Sequence, residues 1–177
     1  MPRVARADEV TDAPVAAAGT GASAGTGSAA TDRTSAWAAL LRVHAALVPA
    51  LERELAAAHQ LPLSWYDVLL ELNSAPGRRL RMSELGSRVV LSRERVSRVV
   101  DELARVGLVV RERNPDDRRS VFAVLTPAGR DRLRAAAPSY LAGIERHFTD
   151  HLSDDEARTI TGALRRVLAA ADGRDVS

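Results

Sequence analysis

Between residues 91 and 126 the hydrophobic period of the chain changes from that of a helix to that of paired strands. Val96, Val99, Val100, Leu103 and Val106 recur three and four residues apart, which makes one apolar stripe on a helix over 92–106. Gly107 follows at once, in the place where a helix end favours glycine. Residues 108–113 and 120–125 then read as two strands. They flank Asn114, Pro115, Asp116 and Asp117, a turn-rich tip.

The two sides of the 92–106 helix differ in chemistry. The apolar stripe faces the core, and Glu94, Ser97, Arg98, Asp101 and Arg105 lie opposite it. Ser92, Arg93 and Arg95 flank the N-terminal turn. A helix that enters the major groove of DNA needs this layout. Arginine can span O6 and N7 of guanine with two hydrogen bonds, and serine can donate or accept. An ordinary amphipathic surface helix, laced by the pairs Glu94–Arg98 and Asp101–Arg105, fits the same pattern. The hairpin tip adds Arg118 and Arg119 to its two aspartates. A turn does not need arginines, and one at a thin tip can enter the narrow minor groove. Asp117 is placed to orient Arg119. A solvated tip with a local ion pair is the alternative there.

The rest of the chain brackets this unit. Residues 1–33 are rich in Ala, Gly, Thr and Ser without periodicity, so a disordered low-complexity tail is expected. Thr34 or Ser35 can cap a helix carrying Trp37, Leu40, Leu41, Leu47, Leu51 and Leu55, with a kink at Pro49. A second helix is expected from Ser64 to before Asn73, and a short one over 83–90. A small strand near Leu80 completes a sheet. A long helix starts at Pro127 and bends at Pro138. Ser153, Asp154, Asp155 and Glu156 form a capping box for the last helix. The fold class is therefore mainly α. The ordered domain covers 34–172, with a lobe at about 62–126 and outer helices at about 34–60 and 127–172. The apolar stripes of these outer helices exceed what one small lobe can cover, which points to a second chain.

Composition narrows the partner. The 177 residues include no cysteine, which removes disulfides and thiolate metal sites. Residues 78–119 carry 12 arginines against 7 carboxylates on a chain whose net charge is only +2. One basic segment on a near-neutral protein is an electrostatic footprint for phosphate, although a solvated arginine-rich surface shares it. No apolar run near the ~18 residues of a membrane span is evident, and the N-terminus lacks a secretory signal. A cytoplasmic protein without membrane contact is expected. Glycine-rich phosphate loops, a nucleophile elbow and a metal-binding histidine pair with a base between are all missing, so an enzyme is not expected, nor a cofactor. His147 and His151 share the spacing of a zinc pair, with Asp150 or Glu145 to assist, but a solvated or dimer-facing pair reads better and no metal is expected.

The stretch LSRERVSRVVDELARVGLVVRE, residues 91–112, resembles the recognition helix and first wing strand of the MarR family. Asp117, Arg119, Leu125, Thr126 and Gly129 stand in the spacing of that family's wing signature. The resemblance spans about 35–171. It implies a winged helix-turn-helix homodimer whose N- and C-terminal helices interlock. It implies a sequence-specific DNA-binding regulator of transcription, commonly a repressor, on an inverted repeat of double-stranded DNA. The DNA-contacting set is then Ser92, Arg93, Arg95, Ser97, Arg98, Asp117, Arg118 and Arg119. Residues 61–72, LPLSWYDVLLEL, resemble a branch that responds to urate and similar small organic anions. The resemblance places Asp67, Arg98 and Arg111 in its effector pocket. That branch also has a tryptophan on an extra N-terminal helix. Trp37 lies later, on the first core helix, and is the candidate for that place in the pocket. Asp67 also suits a structural role in the first turn of its helix, beside Ser64. A dimeric winged-helix module without DNA binding is the competing function.

Overall fold

Helix α1 (Thr26–His59) begins before Thr34, inside the stretch expected to be tail. Nothing between Gly27 and Pro49 breaks a helix, and Ala29, Ala30 and Ala36 favour one, so Thr34 and Ser35 are interior residues rather than caps. The structure is a computed structural model that describes residues 26–115, 117 and 120–172, with side chains described for 34–115, 117 and 120–171. The rest of the expected tail lies outside the described residues. Two compact units, Met1–Leu40 and Leu41–Ser177, make up the chain. In the first, the described residues are the opening turns of α1, where Trp37 is 60% exposed. Everything below concerns the second unit unless α1 is named as a whole.

Helix α2 (Leu63–Ser74) leads through a 3₁₀ turn (Pro76–Arg78) into strand β1 (Arg79–Arg81). Gly77 takes φ 63° in that turn, and Arg78 takes φ 54° beside it. Helices α3 (Met82–Arg88) and α4 (Arg93–Arg105) follow, then strands β2 (Val109–Arg113) and β3 (Val121–Leu125). All three strands are antiparallel in the order β1-β3-β2, with Leu80 and Arg111 both opposite Ala123. Leu80, Val109, Ala123 and Leu125 are buried on the inner face of the sheet. They meet Val68, Leu69 and Leu72 of α2, Leu85 of α3 and the buried side of α4 in one cluster. Full burial of such a side chain is worth roughly 1.5–3 kcal/mol, so the α4 stripe alone fixes which way that helix faces.

Helices α5 (Pro127–His147) and α6 (Asp154–Asp172) complete the chain, joined by a 3₁₀ turn (Thr149–His151). Pro49 and Pro138 lie inside α1 and α5, and each helix continues across its proline. At the start of α6 the Ser153 N–H donates to Glu156 Oε2 (2.9 Å) and the Glu156 N–H donates to Ser153 Oγ (3.4 Å), the expected capping box. Between α1 and α5, a Cβ on Gly143 would lie 2.7 Å from Leu51 Cδ2, so a side chain there would collide with α1. Glu54 accepts hydrogen bonds from Arg146 and His147, each at 2.7 Å, and His59 is bonded to Ser139 Oγ at 2.7 Å. His147 is the last residue of α5 and His151 lies in the following turn, so the two do not share a helix face. No group of three potential metal ligands exists among the described residues.

The stretch Thr34–His59 is long and apolar enough, at mean hydropathy 1.3, to cross a bilayer by length and composition. Alanines raise that average although Arg42 and His44 interrupt any continuous apolar run. Only 6% of its apolar 18-residue window is buried within the chain. This is weak evidence for a span, since Glu52, Arg53 and Glu54 crowd its end.

Candidate nucleic-acid interface

Helix α4 is held from three directions. Val96, Val99, Val100 and Leu103 are buried against the core. Val106, expected in the same stripe, is 53% exposed, because the helix ends at Arg105 and Val106 turns the chain away at φ −96°, ψ 6°. From α2, Trp65 Nε1 donates to Glu102 Oε2 at 3.0 Å. From β2, the Arg111 guanidinium donates to Ser97 O (3.2 Å) and Ser97 Oγ (3.1 Å) and pairs with Asp101 at 2.9 Å. Asp101 thus serves the wing strand instead of Arg105. Glu94 and Arg98 form no ion pair among the described residues either.

The remaining side of α4 is exposed. Arg93, Arg95 and Arg98 project there, and none is ion-paired among the described residues. Ser92 caps the helix: its Oγ accepts from the Arg95 N–H at 3.4 Å. Ser97 is half-buried, with its hydroxyl engaged by Arg111. Two shallow depressions flank the helix. One, of about 320 Å³, is lined by Met82, Ser83, Arg93, Ser97, Arg111 and Val121. The other, of about 470 Å³, is lined by Ser64, Ser92, Arg95, Arg98, Val99 and Glu102.

The wing is anchored at its base. Asn114 is buried, its N–H donates to Ser120 O at 3.1 Å, and the Ser120 N–H donates to Asp117 O at 2.9 Å. Asp117 is exposed, while Arg118 and Arg119 lie outside the described residues. On the outer face of the sheet, the Arg79 guanidinium sits 4.9 Å from the centre of the Phe122 ring. Beyond β3, Thr126 Oγ1 donates toward Gly107 O (2.8 Å) and Leu108 O (3.0 Å) and accepts from the Gly129 N–H (3.0 Å). Thr126 and Gly129, quoted above within a wing signature, therefore fasten α5 to the start of β2.

The residues expected to line an effector pocket are not brought together. Arg98 and Arg111 open onto different depressions, and Asp67 lines neither. Trp37 belongs to the other compact unit. Asp67 does not cap α2, whose N-cap is Pro62 without a side-chain cap bond. Burial, and secondarily the charge of Glu71, raise the Asp67 carboxyl above its ordinary value. Burial likewise raises Tyr66 and Tyr140, whose rings stand 4.5 Å apart. Sequence reasoning missed Trp65, Glu102 and the grip of Arg111 on α4. The cue was faint: a half-buried tryptophan needs a partner for its N–H.

Known proteins share this fold. The MarR family model (MarR_2) matches residues 59–120. The HTH-type transcriptional regulator YkoM of Bacillus subtilis (strain 168) is 37% identical over 86 residues, covering 49% of this chain and 55% of that protein. The chain thus spans just over half the length of the curated relatives it matches. AbsC, a MarR family transcriptional regulator from Streptomyces coelicolor, superposes with TM-score 0.72 at 32% identity, over 79% of this chain and 94% of AbsC. Sco3205, a MarR family transcriptional regulator of the same organism solved in complex with DNA, superposes with TM-score 0.72 at 31% identity, over 79% of this chain and 87% of Sco3205. The shared elements are those of a mainly helical winged-helix fold, in a family of regulators rather than enzymes. The chain belongs to the MarR family of transcriptional regulators.

Proposed function

We propose that this chain is a homodimeric, sequence-specific DNA-binding repressor. The observation that carries the reading is the exposed side of α4. Arg93, Arg95 and Arg98 stand on a helix clamped by Trp65 and Arg111, without carboxylate partners among the described residues. Arg98, in the second turn, reads base edges, and Arg93 and Arg95 hold phosphates. Ser92 serves as cap, and Ser97 with it presents the N-terminal turns. Asp117, Arg118 and Arg119 form the minor-groove tip. The DNA complex of Sco3205 supports this use of the fold.

The second copy covers apolar surface that this chain leaves bare. Val167 and Leu168 of α6 are 65% and 63% exposed, and the apolar stretch of α1 is almost wholly unburied. Residues 34–60 and 127–172 thus form the dimer region and 62–126 the DNA lobe. A two-fold dimer matches an inverted repeat in double-stranded DNA. A small organic anion releases the DNA. Arg111 supports that half, because an anion drawing its guanidinium from Asp101 and Ser97 loosens one clamp on α4. Asp67, Arg98 and Arg111 are the residues proposed to line the anion site, and Trp37 is the tryptophan proposed for it.

Selection of duplexes from a random library, followed by salt-dependent anisotropy and sedimentation, tests the reading. Bound duplexes with inverted-repeat half-sites and a dimer at micromolar concentration are expected. A protein that retains no duplex at low salt refutes DNA binding, and a monomer refutes the architecture. Titration with urate and related carboxylates that never releases DNA refutes only the effector.

A further inference from the structure

We propose that Trp65 is a positioning residue that holds Glu102 away from Arg98 and so keeps Arg98 available to DNA. The inference rests on the DNA-binding reading above. Arg98 and Glu102 are four residues apart on α4, neighbours on one helix face whose opposite charges attract. Both line the depression of about 470 Å³ beside the start of α2. Glu102 is the one carboxylate lining it, with Arg95 and Arg98 around it. Yet neither Arg98 nor Glu102 enters an ion pair among the described residues. The Glu102 carboxylate instead accepts from the indole N–H of Trp65, 3.0 Å away across the α2–α4 contact.

The arrangement has a chemical logic. A carboxylate on a DNA-reading helix repels phosphate and competes with it for a neighbouring guanidinium, and Glu102 lines the same depression as Arg98. An indole N–H is a donor without charge and without an acceptor, so it can hold the carboxylate while adding no competing positive group. Trp65 itself is half-buried against the core, which fixes the donor in place. The result is a helix that keeps Glu102 for docking on α2 and leaves Arg98 unpaired.

The test uses the full chain, with the duplex that wild type selects from a random library as probe. Trp65→Phe keeps an aromatic ring and deletes the donor. It is expected to bind about threefold to tenfold more weakly, with a salt slope lower by about one contact, as Glu102 captures Arg98. Trp65→Phe combined with Glu102→Ala is expected to return to within about twofold of wild type, because no carboxylate remains to compete. A double variant as weak as Trp65→Phe alone overturns the proposal, since lost packing then accounts for the defect. Should Trp65→Phe not fold, Glu102→Asp and Glu102→Gln decide with Trp65 intact. The shorter carboxylate falls short of the indole and is expected to weaken binding relative to the amide, and equal affinities overturn the proposal. Wild type that selects no duplex removes the underlying reading. Wild-type binding that is weakened by Arg98→Ala, without rescue in the double variant, overturns this inference alone.

Discussion

Replacing Gly129 by alanine should be among the most damaging single-methyl changes in this chain. A Cβ at that position would lie 2.1 Å from Leu108 O, 2.8 Å from Leu125 Cδ1 and 3.0 Å from Leu108 C. The first and third contacts are to backbone, which cannot rotate aside as a side chain can. Relief requires the start of α5 to move off the β2 entry by about an ångström. That movement strains the Thr126 N–H bond to Leu108 O (3.1 Å), both Thr126 hydroxyl contacts and the Gly129 N–H bond to Thr126. Losing two or three of these at about 1 kcal/mol each outweighs the roughly 1 kcal/mol that alanine gains over glycine in helix propensity. Adding overpacking of about 1–3 kcal/mol, a net loss of about 2–5 kcal/mol follows. For a chain of this size that lowers Tm by roughly 4–20 °C.

Gly162 supplies the control. It lies within α6, and the nearest atom to a Cβ there is Arg166 Nη1 at 3.7 Å, the end of a flexible side chain. Gly162→Ala should therefore stabilise by about 0.4–1 kcal/mol. Thermal melts followed by circular dichroism at matched protein concentration measure both. A Gly129→Ala protein within 0.5 kcal/mol of wild type, or above it, refutes the claim that the α5–β2 contact is tight.

Arg98→Ala should weaken binding to the selected duplex by about 1–3 kcal/mol, while Arg93→Ala and Arg95→Ala lower affinity evenly across sequences; anisotropy on selected and random duplexes separates the two patterns. Arg119→Ala should lower affinity and reduce the salt slope by about one phosphate equivalent, read from titrations at several salt concentrations. Asp67→Asn tests the buried carboxyl through pH. Its raised value means that its stabilising contribution is complete below the ordinary 3.8 and is lost as pH rises through the raised value. Melts across pH should show the asparagine variant equal to wild type in acid and more stable than wild type near neutrality.

The elements legible in the sequence are those whose signals lie close together along the chain. The α4 stripe, the stop at Gly107, the β2–β3 pair and the Ser153–Glu156 box each depend on neighbours within a few residues. Where a signal had a second reading, the sequence did not choose. Thr34 is a good cap, but the alanines before it let α1 continue back to Thr26. Ser64 reads as the start of α2, but the helix opens one residue earlier at Leu63, with Pro62 at the cap and no side-chain cap bond. The local pair Asp101–Arg105 is absent because Arg111 reaches Asp101 from across the fold, and no spacing rule announces that contact or the one from Trp65 to Glu102.

The same division explains the candidate interface. Its arginines could be named from the sequence, since charge on one side of an amphipathic helix is a local property. What makes them usable is not local. A recognition helix that rocked on its core would lose entropy on docking and blur its base contacts, at about 0.5–1.5 kcal/mol for each side chain newly immobilised. Here the apolar stripe fixes the roll of α4, Trp65 fastens it toward α2, and Arg111 fastens it toward the wing through Ser97 and Asp101. Two of these three restraints use a carboxylate of α4 itself. Asp101 and Glu102 thus serve the protein side, and Arg93, Arg95 and Arg98 face outward. A helix patterned only for charge would have paired those groups internally. Engaging Asp101 with β2 and Glu102 with α2 fastens the helix through groups that do not compete for the arginines on its exposed side.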